Sequence, residues 1–218
     1  MILEVCCDSV ESVRAAIEGG AQRVELCREL ATGGLTPPDE MVQYAVENGI
    51  RTHVLIRSRD GNFVYTPAEV AEMVSEITRM RQMGVHGVVV GALTAAGDID
   101  MGAYRQMTAA AEGMSITFHR AFDECRNPQQ ALEDIIALGC QRLLTSGQAT
   151  SAEKGIPLLH QLVQQAGGRI IIMPGAGVSP ENVQRILHET GAMEIHGSLR
   201  TDGQTDVAKV RRVMELLT

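Results

Sequence analysis

Apolar and polar positions along the chain switch repeatedly between two rhythms. Short runs that alternate, or are wholly apolar, read as strands; longer runs with apolar residues three or four apart read as helices. The strand rhythm falls at Ile2–Cys6, Arg23–Cys27, Thr52–Arg57, Gly87–Gly91, Ile116–His119, Arg142–Thr145, Ile170–Met173 and Met193–Gly197. The helix rhythm lies between them, at Val10–Glu18, Pro38–Glu47, Pro67–Met83, Met101–Ala111, Pro128–Leu138, Ser151–Gln165, Pro180–Glu189 and Asp206–Leu217. Pro37, Pro67, Pro128 and Pro180 stand at or near helix starts, where a missing N–H does no harm. Glycines follow most helix ends, where a left-handed cap is useful. Eight strand–helix units in 218 residues give one unit per about 27, which predicts a (β/α)8 TIM-like barrel as a single domain over residues 1–218. An open doubly wound sheet would show fewer strands and a Gly-rich first turn, and Cys6-Cys7-Asp8-Ser9 is no such turn.

Both faces of a barrel strand are buried, so polar residues of one parity need a reason. Glu4 and Cys6 share a phase on the first strand, Glu25 and Cys27 on the second, His53 and Arg57 on the third, Thr117 and His119 on the fifth, and Glu194, His196 and Ser198 on the eighth. Leu3, Val5, Val24, Leu26, Phe118, Leu144 and Ile195 make up the opposite, apolar phase, which suits the helix-facing side. The polar phase is therefore expected to point into the barrel. There Glu4, Glu25 and Glu194 converge, and carboxylates in a low-dielectric interior must be protonated, paired or metal-bound. Arg57, His119 and His196 are the expected partners. Such a network can serve purely as scaffold, a reading that suits His53 and Glu194, or it can be catalytic through His119, Glu4, Glu25 and His196. No lysine presents itself at a strand end, so Schiff-base chemistry is not expected.

Two further signals change the picture. Met173-Pro174-Gly175-Ala176-Gly177 carries the seventh strand into a Gly-x-Gly turn before a helix, so backbone N–H groups can face an anion. With Gly197, Ser198 and Arg57 this makes an expected anion site, although tight-turn geometry alone would also call for Gly175 and Gly177. Cys6 and Cys27 end adjacent strands at matching places, and two facing thiols are soft ligands suited to Cu(I); free cysteine also serves as a small buried hydrophobe. Cys125 is placed to approach the same mouth, Cys140 lies at the opposite end, and Cys7 has outward parity.

Composition narrows the partners. A net charge of −8 and aromatics at 3 % speak against nucleic acid. No apolar stretch reaches membrane-spanning length, the N-terminus runs straight into a strand, and five cysteines without an export signal read as reduced thiols. A cytoplasmic protein with a small-molecule or metal-ion ligand, with no nucleic-acid or membrane partner, is the expectation.

The motifs, taken in order, resemble the CutC family, proteins linked by name to copper homeostasis. The matching pieces are Glu4-Val5-Cys6 with Asp8-Ser9, Arg23 to Cys27, Gly33 to Pro37, Val88 to Thr94, Thr117 to Asp123, Leu144 to Gly147, Pro174 to Val178 and Glu194 to Ser198. The resemblance implies a TIM-like barrel, a cytoplasmic homo-oligomer and a copper association. The loop after the third strand departs from the family's usual Ile-Arg-Pro-Arg-Gly-Gly-Asp-Phe, reading Ile56-Arg57-Ser58-Arg59-Asp60-Gly61-Asn62-Phe63, and the segment after Ser198 is shorter than in most relatives. Two functions stand: a CutC-type copper-handling protein using Cys6 and Cys27, and an acid/base enzyme acting on a small anionic or phosphorylated metabolite through His119.

Overall fold

In the computed structural model, which describes residues 1–218, eight strands alternate with eight helices. The strands are β1 (Ile2–Cys7), β2 (Arg23–Leu26), β3 (Arg51–Leu55), β4 (Gly87–Val90), β5 (Ser115–Phe118), β6 (Arg142–Thr145), β7 (Ile171–Pro174) and β8 (Glu194–Gly197). The helices are α1 (Val10–Glu18), α2 (Asp39–Glu47), α3 (Pro67–Gln82), α4 (Met101–Ala110), α5 (Pro128–Ala137), α6 (Ile156–Ala166), α7 (Val183–Thr190) and α8 (Val207–Leu216). All eight strands run parallel in the order β7-β6-β5-β4-β3-β2-β1-β8. β7 and β8 then lie side by side and bring the sheet round into a (β/α)8 TIM barrel.

Local chemistry sets the helix starts. Ser9 caps α1 by accepting from Ser12 N. Thr66 and Glu69 form a reciprocal capping box ahead of Pro67 at the start of α3, and Asn127 caps α5 just before Pro128. The outward phase packs as read: Leu3, Val5, Val24, Leu26, Phe118 and Ile195 join helix residues such as Met73, Ile77, Leu132 and Ile186 in one core between sheet and helices. Leu144 is the exception. Arg142 and Leu144 face the interior, while Leu143 joins the outer core.

Two helices begin later than the apolar rhythm suggests. α6 starts at Ile156 rather than Ser151, because the chain first crosses the β6 loop in backbone contact; a Cβ on Gly155 would lie 1.8 Å from Ser146 O. α7 starts at Val183 rather than Pro180, because Asn182 ties the preceding turn, accepting from Ser179 N at 2.9 Å and donating to Gly177 O at 2.8 Å. The short passage after β8 holds a small hairpin, β9 (Arg200–Thr201) with β10 (Gln204–Thr205). Asp202 and Gly203 turn it with positive φ at both positions, as a two-residue hairpin loop requires.

Candidate functional site

The interior is layered. Its lower layer is a charged network whose centre is Arg23, fully buried on β2. Arg23 Nε donates to Glu4 on β1, and Nη2 donates to Glu194 on β8. Arg142 on β6 reaches Glu194 through Nε at 2.7 Å and Ser115 Oγ through Nη1 at 2.6 Å. His53 stands 3.3 Å from Glu4. Glu4 and Glu194 are therefore paired by Arg23 and Arg142, Glu25 is not, and of the expected partners only His196 joins them. Burial would raise the pKa of Glu4, but Arg23 and the two histidines outweigh it and hold the carboxyl well below its usual range. Burial also keeps His53 below its usual value, so it is neutral. This layer closes the lower barrel with paired charge.

The upper layer opens into a cavity of about 860 Å3 at the C-terminal ends of the strands. On its floor His196 Nδ1 lies 2.9 Å from Glu4 Oε1, so the pair fixes the ring and leaves Nε2 without a protein partner. Glu25 Oε2 lies 4.0 Å from His196 Nδ1 and has no hydrogen-bond partner, while Oε1 receives the Cys6 thiol at 3.9 Å. Cys6 and Cys27 sulfurs are 3.7 Å apart, packed by Leu55 and Val89. Burial, with the nearby Glu4 charge, pushes Glu25 up to about 7 against the pull of His196. Burial opposes charge on His196, yet Glu25 and Glu4 together hold its pKa above the ordinary value. The hydrogen bond to Cys27 and burial push the Cys6 thiol well up. Glu25, pushed up to about 7, and His196, held above its ordinary value, thus meet a soft dithiol, and Cys6, Glu25 and His196 each offer a donor atom within 4.8 Å of the others.

His119 lines the cavity apart from this cluster. Its Nδ1 accepts from Ala121 N at 3.1 Å, which places the proton on Nε2, a buried atom with no protein acceptor. Burial, reinforced by Arg57, pushes its pKa down to about 3. The imidazole is therefore a neutral N–H donor at the cavity wall. Arg57 is turned from the glutamates as well. Nη1 donates to Thr32 O and Gly34 O at 3.1 and 3.0 Å, Nη2 donates to Gly61 O at 2.8 Å, and the guanidinium lies over Phe63. It is a strut between two rim loops, with only Nε unpartnered.

Gly175 N is spent on Thr145 O at 3.0 Å, whereas Gly177, Gly197 and Ser198 line the cavity. Lys209, in the first turn of α8, lines it too, its Nζ donating to Arg200 O at 2.7 Å. Cys125 is held behind the rim by Gln148, Cys140 bonds Tyr104 on the outer side, and Cys7 belongs to the outer core. Asp123 is occupied too, accepting from Thr145, Ser146 and Gln148 and so pinning the β6 loop to the turn after β5. Two interior histidines each lean on a glycine: an added Cβ would lie 2.7 Å from His53 at Gly87 and 2.5 Å from His119 at Gly91, whereas at Gly175 it would lie 2.6 Å from Leu144 and 3.3 Å from His196.

Arg23, Arg142 and Lys209 were not expected here. The two arginines begin their strands, where a polar residue reads as solvated; parity with Glu25 was the available signal for Arg23, whereas Arg142 shares its phase with Leu144, which reads as outward. Lys209 sits on a helix and carried no signal.

The CutC family model matches residues 1–201. A CutC family protein of Bacteroides thetaiotaomicron is 50 % identical over 206 residues, covering 94 % of this chain and 83 % of the relative. One from Chromobacterium violaceum is 50 % identical over 200 residues, covering 91 % and 81 %. The crystal structure of CutC from Streptococcus agalactiae, a protein named for copper homeostasis, superposes with a TM-score of 0.86 at 34 % identity, covering 91 % of this chain and 98 % of that one.

Proposed function

The chain belongs to the CutC family, and from that premise we propose that it handles copper in the cytoplasm, taking Cu(I) at the floor of the barrel mouth through Cys6 and Cys27. The observation that carries this is the 3.7 Å approach of the two sulfurs, in a pocket made apolar by Leu55 and Val89. Soft thiolates in a water-poor site favour Cu(I) over harder divalent ions. His196 and Glu25 stand close enough to contribute a third donor or to accept the protons that the thiols release. Because the Cys6 thiol is protonated at neutral pH, binding must expel protons and should tighten as pH rises. Titration with Cu(I) under reducing conditions is expected to show tight binding in the wild type and its loss in Cys6→Ala/Cys27→Ala. Unchanged affinity in the double variant would refute the assignment.

A second reading has its own support. A cavity of about 860 Å3 has room for a metabolite as well as an ion. In it, His119 Nε2–H would donate to a carbonyl or hydroxyl oxygen, while Glu25 or His196 takes or returns a proton. Proton abstraction beside a carbonyl, or an aldol-type cleavage, suits these parts. In a thermal-shift screen, small anions that stabilise the wild type should stabilise His119→Ala less; equal stabilisation of both proteins would count against this chemistry.

A further inference from the structure

We propose that the rim between β7 and β8 is a binding subsite for the phosphate group of a phosphate monoester; the proposal rests on the second reading above and names its substrate class. The backbone N–H groups of Ala176, Gly177 and Val178, after β7, and of Ser198 and Leu199, after β8, donate to nothing in the protein, and all five residues line the cavity. Their neighbours are satisfied: Gly175 N donates to Thr145 O, and Ser179 N to Asn182 Oδ1. Ala176 and Leu199 are held at φ 85 and 47 although neither is glycine, and Gly177 follows at φ 68. Successive turns of this kind direct backbone N–H groups into one concavity that receives an anion.

Charge and stoichiometry agree on the ligand. The mouth sets Arg57, Arg120, Arg200 and Lys209 against Glu25, Asp123 and Glu124; Arg120 pairs with Asp123, Arg200 with Asp8 and Arg57 is a strut, which leaves Lys209 as the cation with no carboxylate partner. Five amides and the Lys209 ammonium outnumber the lone-pair sites of one carboxylate but suit the three terminal oxygens of a phosphate. An independent observation points to the rest of the ligand. His119, only 5 % exposed, lines the same cavity, and its Nε2–H has no acceptor. Its Nδ1 is occupied by Ala121 N, which leaves the buried Nε2–H as the unpaired donor of the ring. A hydroxyl or carbonyl oxygen on the esterified carbon skeleton supplies that acceptor.

The test is an NMR titration of the 15N-labelled full chain with inorganic phosphate, with acetate as a parallel arm. The amides of Ala176, Gly177, Val178, Ser198 and Leu199 should shift together with phosphate and respond more weakly to acetate. Lys209→Met, which removes a charge-assisted donor, and Ser198→Asp, which places a like charge at the rim, should each weaken the titration about tenfold while keeping the wild-type spectrum elsewhere. The proposal falls if these amides do not respond, if acetate acts equally, or if both variants titrate like the wild type. A parallel metabolite screen on His119→Ala separates the two ideas. Phosphate binding without any His119-dependent ligand upholds the subsite and removes the acid/base reading. His119-dependent stabilisation without a phosphate response does the reverse.

Discussion

His119 illustrates how a single side chain's role is set by what its ring already does. With Nδ1 accepting from Ala121 N, the residue can donate from Nε2 but cannot take a proton at neutral pH, since its pKa is pushed down to about 3 by burial and Arg57. The linkage has a definite sign. The native state holds the ring neutral, whereas the unfolded chain protonates it below its ordinary 6.5, so its contribution to stability is complete above 6.5 and is lost as pH falls toward 3. Compared with His119→Gln, the wild type should lose about 2 kcal/mol of unfolding free energy between pH 7 and pH 5, read from urea unfolding at the two pH values. A pH-independent difference would show that the ring is not held neutral. Parity along the strands identified the inward set of Glu4, Cys6, Glu25, Cys27, His119 and His196. It could not pair them, because Arg23 and Arg142 sit at strand starts and reach their carboxylates across strands far apart in sequence. Leu144 was misplaced for a related reason: Thr145 beside it is polar yet serves Asp123 outside the barrel interior.

Elements were legible wherever their ends carry their own chemistry. α1, α3 and α5 begin where the sequence places a capping residue or Pro, and they match the apolar rhythm to within one residue. α6 and α7 begin later because contacts from other segments, the crossing at Gly155 and the Asn182 tie, override local propensity. The α3 start also has a tertiary duty. Glu69 holds Thr66 N at 2.7 Å and also pairs with Arg59, so the cap anchors the loop that follows β3. Thr66→Ala should cost about 1 kcal/mol in urea unfolding, with amide exchange in residues 57–66 accelerating along with it. A cost with no change in that loop would mean that the cap stabilises the helix alone.

At the scale of the molecule, the buried network does what a ladder does elsewhere. β8 is hydrogen-bonded to β1 but only packs beside β7, and Glu194 at its start is held from across the interior by Arg23 and Arg142. Removing Arg23 leaves Glu4 with no cation but its histidines, and Glu194 with Arg142 alone, in a low-dielectric layer. Arg23→Met should therefore cost about 3–5 kcal/mol of unfolding free energy, whereas Arg23→Met with Glu4→Leu, which leaves Glu194 paired with Arg142, should recover much of it. If the single variant costs less than 1 kcal/mol, the network does not hold the barrel together. The barrel's rigidity has one more source, and it consists of missing atoms. Gly87, Gly91 and Gly175 leave the room in which His53, His119 and His196 stand. Over evolutionary time the pairs at Gly87 and Gly91 can drift only jointly: a methyl gained there would evict the ring, and a ring that shrank would leave a void, whereas at Gly175 a methyl would meet Leu144 first, at 2.6 Å. A lineage that gave up the imidazole would release its glycine in the same stroke, so the loss of either member is the mark by which an abandoned site would be recognised.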